Sequence, residues 1–132
     1  MPVEKRVPYR SSFYGDWHRR TLPKYCRMSD ADWFEVRDET IVACIETIVI
    51  PQMFIDEAQK IYPIFSQEDW KTKALVLKEI HKKMNLPVLI VRHTSDCKRF
   101  ALSYVTPSGD ETEQQVMTEE AFQHVLVSLR HR

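Results

Sequence analysis

Residues 31–50 read ADWFEVRDETIVACIETIVI, and the fold turns on them. Residues 31–37 alternate, with Asp32, Phe34 and Val36 on one face and Trp33, Glu35 and Arg37 on the other, which is the period of a β-strand. Asp38 and Glu39 make a polar turn. Residues 40–50 then form a long β-branched run, apolar on both faces as a central strand should be. The two segments predict a hairpin, and inside its apolar arm sits a single carboxylate, Glu46. A charge in such a place is costly unless it is paired, bound to a cation or protonated, which makes Glu46 the most informative position in the chain.

Working outward, Pro51 closes the second strand, and a short helical stretch over residues 54–61 leads to a break at Pro63. Ser66 is placed to cap a helix over residues 67–84. Glu68 and Asp69 suit its positive end, Lys82 and Lys83 suit its negative end, and Asn85 with Pro87 stops it. Residues 87–94 (PVLIVRHT) and 99–106 (RFALSYVT) read as a second pair of strands joined by a polar turn. After the turn at Pro107-Ser108-Gly109-Asp110 and a polar segment, Thr118 caps a last helix carrying Phe122, Val125, Leu126 and Leu129 on one side. Upstream, residues 13–24 read as a short polar helix or irregular arm ending near Pro23. The expectation is an α/β fold in the order α-β-β-α-β-β-α, with a single mixed β-sheet flanked by helices.

The 132 residues suit one domain, read as an α/β core over residues 29–132 behind an N-terminal arm over residues 1–28. With 43% hydrophobic and 29% charged residues and two glycines, the chain has the make-up of an ordered globular protein, and glycine-rich phosphate loops are excluded. No apolar run approaches the roughly 20 residues of a membrane helix, and the opening MPVEKRVPYR lacks an apolar leader core, so a cytoplasmic setting is expected. Cys26, Cys44 and Cys97 are widely spaced with no CxxC pair, which fits reduced thiols. His81, His93, His124 and His131 show no ligand spacing, and no GxSxG occurs.

Net charge is zero, but residues 1–28 hold seven bases against two acids. That arm also carries Tyr9, Phe13, Tyr14, Trp17 and Tyr25, a mix of cations and flat rings that suits phosphates and bases. Arg10, Trp17, His18, Arg19, Arg20 and Lys24 are the candidate nucleic-acid contacts. The alternative is that the aromatics of the arm pack on the core.

Asp32 and Glu46 are 14 positions apart on adjacent strands, and a tight turn between the strands brings their levels close. Two carboxylates that share a cation offer the oxygen ligands a hard ion such as Mg²⁺ prefers. The pattern D-W-x-E-x-R followed by IVACIET resembles the core of the PD-(D/E)XK nuclease superfamily, with Asp32 matching its Asp and Glu46 its Glu. The resemblance spans residues 17–106 and implies a restriction-endonuclease-like core, Mg²⁺ held by Asp32 and Glu46, and hydrolysis of DNA phosphodiesters. The chain departs from the pattern at Ile48, where the superfamily has a lysine. Some members move that base to a neighbouring helix, which makes Lys73 and Lys78 the candidate replacements. The same departure supports the alternative of a catalytically inactive nuclease-fold module that binds nucleic acid or protein. A third reading is an assembly subunit, such as a homodimer, using an apolar edge and the last helix, as small viral or mobile-element proteins do.

Overall fold

The computed structural model describes residues 8–25, 31–66 and 68–129, excepting the side chains of residues 8–12, 15 and 69. Its elements run α1 (Pro8–Thr21), β1 (Trp33–Arg37), β2 (Thr40–Val49), a 3₁₀ turn (Gln52–Glu57) leading into α2 (Ala58–Ile61), a second 3₁₀ turn (Glu68–Trp70) leading into α3 (Lys71–Met84), β3 (Val88–His93), β4 (Arg99–Tyr104), β5 (Gln115–Thr118) and α4 (Glu119–Ser128). The five strands form one mixed sheet in the order β1-β2-β3-β4-β5. Only β2 and β3 are parallel, because the helical segment between them carries the chain back to the starting edge, whereas the other neighbours are antiparallel.

The predicted mixed sheet flanked by helices is what forms. The polar segment before the last helix adds β5, which pairs with β4 over four residues. At the start of the long helix the sequence reading needs correction. Ser66 does not cap it; the α-helix begins at Lys71 behind Trp70, after a 3₁₀ turn, and no side chain caps that end. At the other end Asn85 adopts φ 53°, the left-handed conformation that asparagine tolerates at a helix terminus. Thr118 caps α4 as expected, its hydroxyl accepting from the Ala121 amide at 3.2 Å.

Strict alternation divides the core between the two faces of the sheet. Ala43, Ile45, Leu89, Val91, Phe100 and Leu102 pack with Phe122 of α4. Cys44, Val88 and Ile90 pack on the other face with Ala74 and Leu77 of α3 and with Ile64. Each such apolar side chain stabilises the fold by roughly 1.5–3 kcal/mol. Glu46, between Ile45 and Thr47, therefore projects from the face that α3 covers. No helix among the described residues is long and apolar enough to cross a membrane.

The β1–β2 hairpin has one irregularity that positions the site. Asp38 and Glu39 both take positive φ, 46° and 68°, the pair of left-handed residues that a two-residue hairpin turn needs. From that turn Arg37 pairs with Thr40 and Val36 with Ile41, but Glu35 then pairs with Ala43, leaving Val42 as an extra residue in β2. This β-bulge shifts the register so that Trp33 lies opposite Ile45. The next position outward sets Asp32 across from Glu46. Without the bulge Asp32 would lie across from Ile45, on the opposite face of the sheet.

Candidate functional site

Three elements supply the site. β2 contributes Glu46, the segment entering β1 contributes Asp32, and α3 contributes Lys73. The Lys73 ammonium lies 3.0 Å from Glu46 Oε1 and 3.2 Å from Oε2, straddling the carboxylate. Glu46 is 3% exposed, and the Lys73 side chain is also largely enclosed. Helix α3 leans over the strand at this point because Ala74, next to Lys73, is small and buried against Cys44 and Ile90.

Asp32 is held from below. Its Oδ2 accepts both the Thr47 amide at 2.9 Å and the Thr47 hydroxyl at 3.0 Å. Two donors on one oxygen fix the carboxylate. Thr47 escaped the sequence reading because its side chain alternates to the face opposite Glu46, and only its backbone and short hydroxyl reach Asp32. Thr47→Val keeps the shape and the amide donor but loses the hydroxyl. The expected result is a loss of about 0.5–1.5 kcal/mol of stability by urea denaturation, with Thr47→Ser close to the parent.

Electrostatics single out Glu46. Burial pushes its carboxyl up from the ordinary value to about 7. The Lys73 hydrogen bond opposes that rise, while the Asp32 charge and a hydrogen bond from protonated Glu46 to Asp32 reinforce it. A buried carboxylate beside a second carboxylate makes a place where added positive charge is favoured. Among the described residues no group of three or more His, Cys, Asp or Glu side chains gathers as a metal site. A pair of carboxylates is nonetheless the donor set that suits Mg²⁺, which is commonly held by one or two carboxylates together with waters and substrate phosphates.

The other candidates separate cleanly. Lys78 lies on α3 but faces away from the carboxylates, packing against Gly109 in the turn that follows β4. Residues five apart on a helix point about 140° apart, so Lys73 and Lys78 cannot both reach one site. Ile48 packs into the apolar layer under α3, so the strand position where the superfamily has lysine belongs to the core. Arg37, at the turn end of the hairpin, donates to Glu35 and to the Leu126 carbonyl of α4 at 2.7 Å. Trp17, His18, Arg19 and Arg20 lie on α1 and Lys24 in the turn after it; Arg19 pairs with Asp16 at 3.3 Å and His18 lies against Tyr14. Arg10 lies in α1, but its side chain is outside the described residues, as are Cys26 and His131. Cys44 is buried beside Glu46, its thiol pushed up to about 12 chiefly by burial, and is chemically quiet.

A second polar cluster went unseen in the sequence. Arg92 of β3 is fully buried on the α3 face and forms a forked pair with Glu111 at 2.8 and 2.9 Å. Its Nε donates to the Tyr62 carbonyl at 2.9 Å, and the Ser103 hydroxyl donates to Glu111 at 2.5 Å. In register, Arg92 is the β3 neighbour of Ile48. It is committed to Glu111, so the cation nearest the departed lysine position holds the fold together. The available signal was an arginine inside the apolar run VLIVRH, which demands a buried counter-ion.

Comparison of the chain with protein-family models, curated proteins and solved structures finds no match. The functional reading therefore rests on the site itself.

Proposed function

We propose that the protein acts on DNA through a metal-dependent phosphodiester hydrolysis site formed by Asp32, Glu46 and Lys73. The observation that carries this reading is the Lys73 ammonium at 3.0 and 3.2 Å from the two oxygens of a buried Glu46 carboxylate that adjoins Asp32. It supplies from α3 the base that Ile48 removes from the strand, and it supports membership of a PD-(D/E)XK-like fold. The hairpin, crossover helix and parallel strand in sequence support it as well.

Asp32 and Glu46 would hold the cation, with Mg²⁺ the first choice for an all-oxygen pair. When bound there, a divalent ion supplies Lewis-acid polarisation of the phosphate and a more acidic water. Asp32, fixed by Thr47, orients the site. Lys73 offers positive charge to a phosphate oxygen as negative charge builds on it. Glu46, whose carboxyl burial raises to about 7, would give up its proton on binding the cation.

The test is incubation with plasmid and single-stranded DNA in Mg²⁺ or Mn²⁺, with EDTA as control. Cleavage in either metal is expected, reduced about 100-fold or more in Lys73→Met and unchanged in Lys78→Met. Loss of activity in Lys78→Met with Lys73→Met unaffected would assign the base wrongly. Absence of cleavage on every substrate leaves the second reading, a binding module, which the burial of Ile48 in the core favours.

A further inference from the structure

We propose that α1 is a single-stranded DNA platform, stacking unpaired bases on Tyr14 and Trp17 while Arg19, Arg20 and Lys24 hold the phosphates; this names the form of the DNA and rests on the reading that the protein acts on DNA. The alternative in which the aromatics of the arm pack on the core is not met at these rings. Tyr14 is 60% exposed and Trp17 44%, and Tyr25 just beyond the helix is more exposed still. Helices α3 and α4 cover β2 to β4, while Trp33, Phe34 and Val36 of β1 stay exposed and leave the rings of α1 in solvent as well. Large rings left in water forgo a sizeable hydrophobic gain, and rings interleaved with cations are what single-strand binding surfaces present.

Their arrangement is ordered. The rings of Tyr14 and Trp17 stack at 5.8 Å with planes 29° apart, and His18 lies 6.1 Å from Tyr14. Spacings of three and four residues put these three on one side of the helix, and Arg20, three after Trp17, borders the strip. The Arg19–Asp16 pair is exposed on both sides, so exchanging Asp16 for a phosphate costs little.

Charge and shape choose the occupant. A second copy meeting α1 with its own α1 would bring like charges together. A lipid surface needs a continuous apolar stripe, whereas Tyr14 and Trp17 span a single turn bordered by Asp16, His18, Arg19 and Arg20. In a duplex the base faces are already stacked on one another and out of reach of Tyr14 and Trp17. Unpaired bases are free to stack.

The experiment is fluorescence anisotropy of the full chain with a labelled 20-nucleotide single strand, the duplex of the same sequence and the matching RNA strand, all in EDTA. The single DNA strand should bind at least 10-fold tighter than the duplex. Tyr14→Ala and Trp17→Ala should each weaken it roughly 5- to 100-fold. Trp17→Phe should retain most of the affinity, and Arg20→Ala should weaken binding and flatten its salt dependence. All three positions lie on an exposed helix, so an unchanged urea midpoint confirms that the variants fold. Equal or tighter binding of duplex or RNA, no binding at 100-fold lower salt than physiological, or indifference to Trp17→Ala overturns the proposal. Because EDTA removes catalysis from the readout, a chain that binds single strands but never cleaves counts against the hydrolysis site alone, and a chain that cleaves without this binding counts against the platform alone.

Discussion

Glu46→Gln should abolish metal-dependent DNA cleavage, by about 1,000-fold or more, and remove most Mn²⁺ binding measured by calorimetry. The amide has nearly the same volume, so the apolar run around it stays packed. It cannot supply the negative charge that a cation and the Lys73 ammonium both require. The same variant tests the electrostatics without metal. The carboxyl of Glu46 is raised to about 7 in the folded chain, chiefly by burial. The folded state therefore holds a proton there that the unfolded chain releases at lower pH. The associated stability is fully present below the ordinary glutamate value and is lost as pH rises through about 7, a change on the order of 3 kcal/mol. Urea denaturation in EDTA at pH 5 and pH 8 should show the parent losing stability at pH 8, and Glu46→Gln should largely flatten that slope. A parent that gains stability over this range would show that Glu46 is an ordinary ionised surface carboxylate.

Glu111→Ala should be the most destabilising single change, costing about 3–5 kcal/mol of a total that for such domains is roughly 5–15 kcal/mol. The substitution strands the Arg92 guanidinium, which has 0% exposure, with no counter-ion at 2.8 Å and leaves the Ser103 hydroxyl without its acceptor. Burial alone would raise the Glu111 carboxyl, but the Arg92 and Ser103 hydrogen bonds and the Arg92 charge outweigh it and hold it below the ordinary glutamate value. Its contribution is therefore present above that ordinary value and lost as pH falls through the depressed one, the opposite sense to Glu46. Urea midpoints at pH 7 should place Glu111→Ala far below the parent, and the paired change Arg92→Met with Glu111→Leu should recover much of the loss. A Glu111→Ala midpoint within experimental error of the parent would mean the pair contributes nothing.

These two glutamates show how the same side chain, equally deep in the protein, takes opposite roles. Glu111 meets a guanidinium that satisfies both its oxygens, and it serves the fold. Glu46 meets one ammonium and one like charge, and it stays responsive to protons and cations. The contrast is the physical ground for placing chemistry at Glu46 and structure at Glu111.

Most of the framework is legible from local pattern. Alternation marks β1, continuous apolar runs mark β2 through β4, and Asn85 and Thr118 mark the ends of α3 and α4, because each signal lies within a few residues of the chain. β5 was hidden because QVMT is short and half exposed, with little apolar contrast between its faces. The beginning of α3 was misread because Ser66, Glu68 and Asp69 look like a capped first turn, while the chain there winds as a 3₁₀ turn that no side chain caps.

By itself the sequence determined that β1 and β2 form a hairpin, with Asp32 at the entry to one strand and Glu46 within the other, and that a basic helix follows, since strand periods and polar turns are local properties. Only the tertiary structure decided that the two carboxylates share a face. That depends on the single extra residue at Val42, and moving a β-register by one residue turns every side chain to the other side. It also decided between Lys73 and Lys78, and it gave Arg92 its partner. Those outcomes depend on residues 27 and 19 positions apart meeting in space, which no local period encodes.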